Sequence, residues 1–170
     1  YQFQCQQKNI QFKIEKSGNL PKIIHSDKYR LIQILINLIG NAVKFTFEGC
    51  VTLKVAYDEV CPNKLKISIS DTGIGIKEED KDKLFKMFGK IDQKDKKINS
   101  QGVGLGLTIA DQLVQAINND KNCTIKFITE FGKGSTFYFS IPYAEELVAH
   151  LTSAEPFRPV KLLAKIPQEL

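Results

Sequence analysis

The stretch Lys28–Phe45, KYRLIQILINLIGNAVKF, decides how the rest of the chain is read. On a wheel of 3.6 residues per turn, Leu31, Ile32, Leu35, Ile36, Leu38, Ile39, Ala42, Val43 and Phe45 fill about half the circle, an arc wide enough to face a core. The other arc carries Arg30, Gln33, Asn37, Asn41 and Lys44. Asn37 and Asn41 are four apart and Lys44 is three further on, so the three share one face. That face is either a solvated surface or the wall of a pocket. Asn is a poor helix former because its amide competes for the backbone, and an exposed face is better served by Glu, Lys or Gln. On a pocket wall, an Asn amide oxygen suits a hard cation such as Mg²⁺, and Lys44 suits a phosphate. The helix alone leaves both readings open.

Working outward, Ser26-Asp27 reads as the helix start with Asp27 as N-cap, and Thr46–Gly49 as its end. Upstream, IQFKI at Ile10–Ile14 alternates like a strand, and Lys16–Pro21 reads as a turn. Downstream, Cys50–Tyr57 and Lys64–Ser70 alternate as strands around the turn Cys61-Pro62-Asn63. Lys77–Phe88 is expected to be helical, Gly89–Gln101 a polar loop, and Gly104–Asn118 a helix. Cys123–Glu130 and Ser135–Ile141 read as a hairpin around Phe131-Gly132-Lys133-Gly134. The character changes after Pro142: four of the six prolines lie in 142–170, which reads as a linker with room for a short helix at Ala144–Leu151. The order strand, helix, strands, helix, strands predicts an α+β fold, a two-layer sandwich with a mixed, mostly antiparallel sheet on a layer of helices.

Two glycine clusters stand at element ends. DTGIGI, Asp71–Ile76, closes an alternating strand: Gly73 and Gly75 permit positive φ and close approach of the backbone to a ligand, and Asp71 offers a carboxylate to an amino group. An ordinary Asp-Gly turn would look the same. GVGLGL, Gly102–Leu107, opens a helix, where backbone N–H groups can meet an anion. It is neither a Rossmann fingerprint nor a Walker A loop, because its glycines alternate and no Gly-Lys-Ser/Thr follows.

Composition narrows the class. The chain has 170 residues, 42% hydrophobic, and a net charge of +5 spread along its length. That fits one domain with a core and argues against a nucleic-acid binder, since no basic block is interleaved with aromatics. Cys5, Cys50, Cys61 and Cys123 are isolated and only two histidines exist, which argues against a zinc site or a disulfide framework and fits reduced thiols in the cytoplasm. There is no apolar stretch of membrane-spanning length and no signal-peptide layout. A first residue that is Tyr rather than Met suggests a piece of a larger protein.

Taken in order, these segments resemble the histidine-kinase branch of the gyrase, chaperone and mismatch-repair ATPase superfamily, over Ile10 to Ile141. RLIQILINLIGNAVKFT (Arg30–Thr46) is similar to its asparagine box, DTGIGI to the first glycine box, and LFKMF (Leu84–Phe88) to the phenylalanine box. GVGLGL is similar to the second glycine box, and GKGSTF (Gly132–Phe137) to the last. The resemblance implies a Bergerat-type ATP-binding fold with ATP and Mg²⁺ as ligands. It implies catalytic roles for Asn37, Asn41 and Lys44, with Asn41 on Mg²⁺ and Lys44 on phosphate. Asp71 would accept the adenine amino group, with Gly73, Gly75, Ile76 and Thr136 around it. Gly102, Gly104, Leu105 and Gly106 would approach the phosphates. Phe85 and Phe88 would anchor a lid formed by Gly89–Gln101.

The hydrolysing relatives carry a Glu general base where Asn37 stands, and an amide cannot take that proton. The resemblance therefore implies phosphoryl transfer to a His on a separate dimerisation domain of a homodimeric parent, with a response regulator or receiver domain downstream. Neither His25 nor His150 has the acidic neighbour of the family's acceptor. On this reading residues 1–9 end the acceptor hairpin or form a linker, 10–142 are the catalytic domain, and 143–170 are a tail. One departure is Gly40 before Asn41, where the family often has Ser, Glu or Asn.

Overall fold

The structure is a computed structural model, and the described residues are 1–21, 23–61, 63–85, 105–143 and, as backbone only, Val160–Lys161. The elements run α1 (Gln2–Gln7), β1 (Gln11–Lys16), β2 (Ile23–Ile24), α2 (Lys28–Phe45), β3 (Cys50–Tyr57), β4 (Lys64–Asp71), α3 (Glu78–Lys81), α4 (Gly106–Asn118), β5 (Lys126–Glu130), β6 (Gly134–Pro142) and β7 (Val160–Lys161). The main sheet has the order β1-β3-β4-β6-β5. Only β1–β3 is parallel; β3–β4, β4–β6 and β5–β6 are antiparallel. Helices α2 and α4 pack together on one face of this sheet, so the architecture is the two-layer α+β sandwich read from the sequence.

The core lies between the two layers. Leu65, Ile67 and Ile69 of β4 and Phe137, Phe139 and Ile141 of β6 point inward at alternate positions, against Leu31, Ile34, Leu38, Ile39, Ala42 and Val43 of α2 and Ala110 and Val114 of α4. Each large side chain buried this way contributes about 2 kcal/mol relative to exposure. Asp27 caps α2 as expected, its carboxylate accepting from the Arg30 N–H at 3.0 Å. At the other end Thr46 leaves helical geometry and donates its hydroxyl to the Ala42 carbonyl at 2.7 Å.

Several expectations need correction. Ile34, left off the apolar arc, is fully buried, while Ile32 and Ile36 are 42% and 44% exposed. A helix with apolar residues on most sides does not reveal from periodicity which of them meets the sheet. Ile14 of β1 is also exposed, because β1 is an edge strand with little packed against its outer half. The helix expected over 77–88 is one turn, Glu78–Lys81, followed by turns to Phe85. Strand β5 begins at Lys126 rather than Cys123. The short pair β2–β7, antiparallel, was not anticipated and returns the tail to the domain.

The N-terminal segment joins the same core. Cys5 is 1% exposed, and the Tyr1 hydroxyl donates to the Ile36 carbonyl at 2.9 Å. Gly40 makes room for this: a Cβ there would stand 2.9 Å from the Tyr1 oxygen. Lys8 donates its ammonium to the Val43 and Lys44 carbonyls at 2.5 and 3.3 Å, covering the C-terminal end of α2.

Candidate active site

Helix α2 carries the site along one face. Arg30 and Gln33 are exposed, but Asn37, Asn41 and Lys44 are each half-buried, which favours the pocket wall over a solvated surface. Asn37 faces the start of α4, with its amide oxygen 3.5 Å from where a Cβ on Gly106 would stand. The Asn37 amide nitrogen is buried and has no hydrogen-bond partner among the described residues. Among the described residues Leu105 opens α4 without a side-chain cap, and the first amides of such a helix suit an anion. Lys44 lies with its ammonium 4.9 Å from the centre of the Phe45 ring.

The other end of the same helix meets the first glycine cluster. The Phe45 carbonyl accepts from the Ile74 N–H at 3.2 Å, and a Cβ on Gly73 would press into that carbonyl. Gly75 takes φ +64°, and a Cβ there would press into the Glu130 carbonyl. A side chain at either position would push the loop off its supports. Asp71 accepts from the Gly73 N–H at 2.9 Å and the Ser135 N–H at 3.3 Å, both on Oδ1. That leaves Oδ2 to an outside donor. Burial raises the Asp71 carboxyl above its ordinary range, against the opposing pull of those two amides. Ile76 is buried, with its N–H on Thr129 Oγ1 at 3.0 Å.

The Phe85 ring lies 6.0 Å from that of Phe127, tilted by 40°, Phe127 stacks 5.8 Å from Phe137, and the Phe85 carbonyl accepts from the Thr108 hydroxyl at 3.2 Å. Phe85 therefore joins α4 to the sheet. Phe88, Gly102, Gly104 and the segment Gly89–Gln101, expected to be a lid, lie outside the described residues.

Thr136 is placed elsewhere. Its hydroxyl donates to Ser70 Oγ at 2.9 Å on the outer face of the sheet, away from Asp71. The neighbouring Ser135 is buried and takes the place beside Asp71 instead. Strand parity could have shown this: Ser135 shares the inward positions of Phe137, Phe139 and Ile141. Thr129 and Thr108 also escaped the sequence reading, because a hydroxyl that ties one loop to another leaves no local signature.

Comparison with known proteins gives the family. Residues 26–145 match the family model described as histidine kinase-, DNA gyrase B-, and HSP90-like ATPase, and the chain belongs to that family. Its relatives place it among the ATP-binding catalytic domains of two-component histidine kinases. It is 40% identical over 138 residues to the aerobic respiration control sensor protein ArcB of Escherichia coli (strain K12), covering 81% of this chain and 17% of ArcB. It is 36% identical over 167 residues to the autoinducer 2 sensor kinase/phosphatase LuxQ of Vibrio parahaemolyticus, covering 93% of this chain and 18% of LuxQ. The chain thus spans less than a fifth of these curated relatives. Among solved structures, full-length ShkA in complex with AMPPNP superposes with TM-score 0.67 at 32% identity, over 84% of this chain and 27% of ShkA. The catalytic domain of histidine kinase ThkA superposes with TM-score 0.65 at 28% identity, over 83% and 84% of the two chains.

Proposed function

We propose that this domain binds ATP with Mg²⁺ and donates the γ-phosphoryl group to a histidine on a dimerisation domain of its parent protein, for relay to a receiver domain or response regulator. The observation that carries this reading is Asn37: a half-buried amide facing the start of α4, its nitrogen unpartnered among the described residues. Helix α2 contains no Asp or Glu, so its pocket face offers no carboxylate to deprotonate a water. Hydrolysis of the gyrase or chaperone type is disfavoured for that reason.

The donor set suits Mg²⁺. That ion keeps several waters and binds through one or two protein oxygens plus substrate phosphates. No cluster of three His, Cys, Asp or Glu is needed, and among the described residues none exists. Asn41 would hold the ion, which when bound neutralises charge on the phosphates. Asp71 Oδ2 would accept the adenine amino group, and the first amides of α4 with Lys44 would meet the phosphates. What remains for the protein is positioning rather than covalent chemistry.

The test is transfer from γ-labelled ATP to a supplied histidine-bearing hairpin domain, read as acid-labile phosphate. Absence of Mg²⁺-dependent ATP binding, or equal binding by Asp71→Ala, sinks the proposal. Rapid steady-state ATP turnover by the isolated chain would turn it toward hydrolysis.

A further inference from the structure

The loop Gly73–Ile76 is held from its far side by the β5–β6 hairpin. The Gly132 N–H donates to the Ile74 carbonyl at 2.8 Å, and the Ile76 N–H donates to Thr129 Oγ1 at 3.0 Å. Thr129 Oγ1 also donates to the Gly134 carbonyl at 3.1 Å and lies 2.9 Å from the Ser135 hydroxyl. A hydroxyl has one proton and two lone pairs. It serves all three neighbours by donating to Gly134 while accepting from Ile76 and Ser135, and is then saturated. Ser135 in turn gives its N–H to Asp71 Oδ1. One half-buried hydroxyl therefore fixes the loop on one side of the base site and the strand that steadies Asp71 on the other.

We propose that Thr129 is a positioning residue for the nucleobase: its hydroxyl sets the loop Gly73–Ile76 against Asp71 and so sharpens the choice of adenine over guanine. This rests on the reading of Asp71 as the acceptor for the adenine amino group. Guanine carries a carbonyl at that position, so acceptor would face acceptor. Rejection is strong only where the loop holds the base close to the carboxylate.

The experiment titrates ATP and GTP, each with Mg²⁺, into the 170-residue chain and three variants. Thr129→Val keeps the shape and removes the hydroxyl. It is expected to weaken ATP binding about tenfold, the factor that one ordinary hydrogen bond gives, and to narrow the ATP/GTP ratio. Thr129→Ser is expected to behave as the unaltered chain. Ser135→Ala, which keeps Thr129 on Ile76, is expected to narrow the ratio less. Amide exchange supplies a readout free of ligand: the Ile76 N–H should stay protected in the chain and in Thr129→Ser, and lose protection in Thr129→Val. Full ATP affinity in Thr129→Val, a loss in Thr129→Ser equal to that in Thr129→Val, or an equally protected Ile76 amide overturns the proposal. Should Thr129→Val not fold, an unchanged ATP/GTP ratio in Ser135→Ala overturns it. An unaltered chain that binds neither nucleotide sinks the proposed function and the nucleotide role of Thr129 with it, while the Ile76 amide still reports whether the clamp exists.

Discussion

The two ends of the site are built on opposite terms. At the Asp71 end the loop Gly73–Ile76 is tied to α2 through Phe45, to the hairpin through Gly132 and Thr129, and to Asp71 through Gly73. At the Asn37 end, among the described residues, a buried amide nitrogen stands without a partner and the first turn of α4 has no side-chain cap. Helix α2 spans both, its residues 37 and 45 about 12 Å apart along the axis. The saturated end holds its shape before a ligand arrives. The other end leaves a buried polar group unsatisfied by the described residues, and a buried polar group without a partner costs stability. On the proposed function, recognition of the base is prepared in advance, while the place for the phosphates is completed on binding.

Substitutions at the two ends should separate these roles. The largest effect is expected from Asn41→Ala: phosphoryl transfer to a supplied acceptor falls roughly 100-fold or more, with ATP affinity much less affected. Transfer at an unaltered rate would break the division. Next is Asp71→Asn. Both backbone amides donate to Oδ1, so the Asn oxygen must stay with them and its NH₂ must face the adenine amino group, donor against donor. ATP binding should weaken roughly 10- to 100-fold, as for loss of a charged hydrogen bond, in a calorimetric titration.

The same carboxyl predicts a pH dependence. Burial sets its pKa above the ordinary Asp range, so ATP affinity should fall as pH drops through that raised value, while Asp71→Asn stays weak and flat. Stability moves the other way. Between the unfolded and the raised folded pKa the folded chain holds more proton, so Asp71 costs stability as pH rises through that window. Denaturation of the ligand-free chain, compared with Asp71→Asn, reads this directly. The smallest effect is expected at Gly40, on α2 between the two ends. Gly40→Ala should gain about 0.5 kcal/mol, or roughly 2 °C in Tm, from helix propensity less the displaced Tyr1 contact.

The sequence made the fold legible wherever a local rule governed. Asp27 announces a helix start and the alternation of Leu65, Ile67 and Ile69 announces a strand; Gly73 and Gly75, read as room for a ligand, stand against the carbonyls of Phe45 and Glu130 in the chain itself. It failed where tertiary placement decides. Ile32, Ile34 and Ile36 are equally apolar, and only the position of the sheet selects Ile34 for burial. Ser135 and Thr136 are equally hydroxylic, and only strand parity sends one to Asp71 and the other to Ser70. The Asn37–Asn41–Lys44 face was readable from helical spacing, but its half-burial needed α4 to be in place.

The lysine that covers the end of α2 has a practical consequence. Motif boundaries suggest trimming the chain to begin at Ile10. Such a shortened protein would lose the Lys8 ammonium from the Val43 and Lys44 carbonyls and leave a hole where Cys5 sat. The first loss falls on the last turn of the helix that carries Asn41 and Lys44. The trimmed protein should melt earlier in a thermal scan and hold nucleotide less well, although none of the recognised boxes has been touched. Where an expression boundary is drawn is then a decision about the active site.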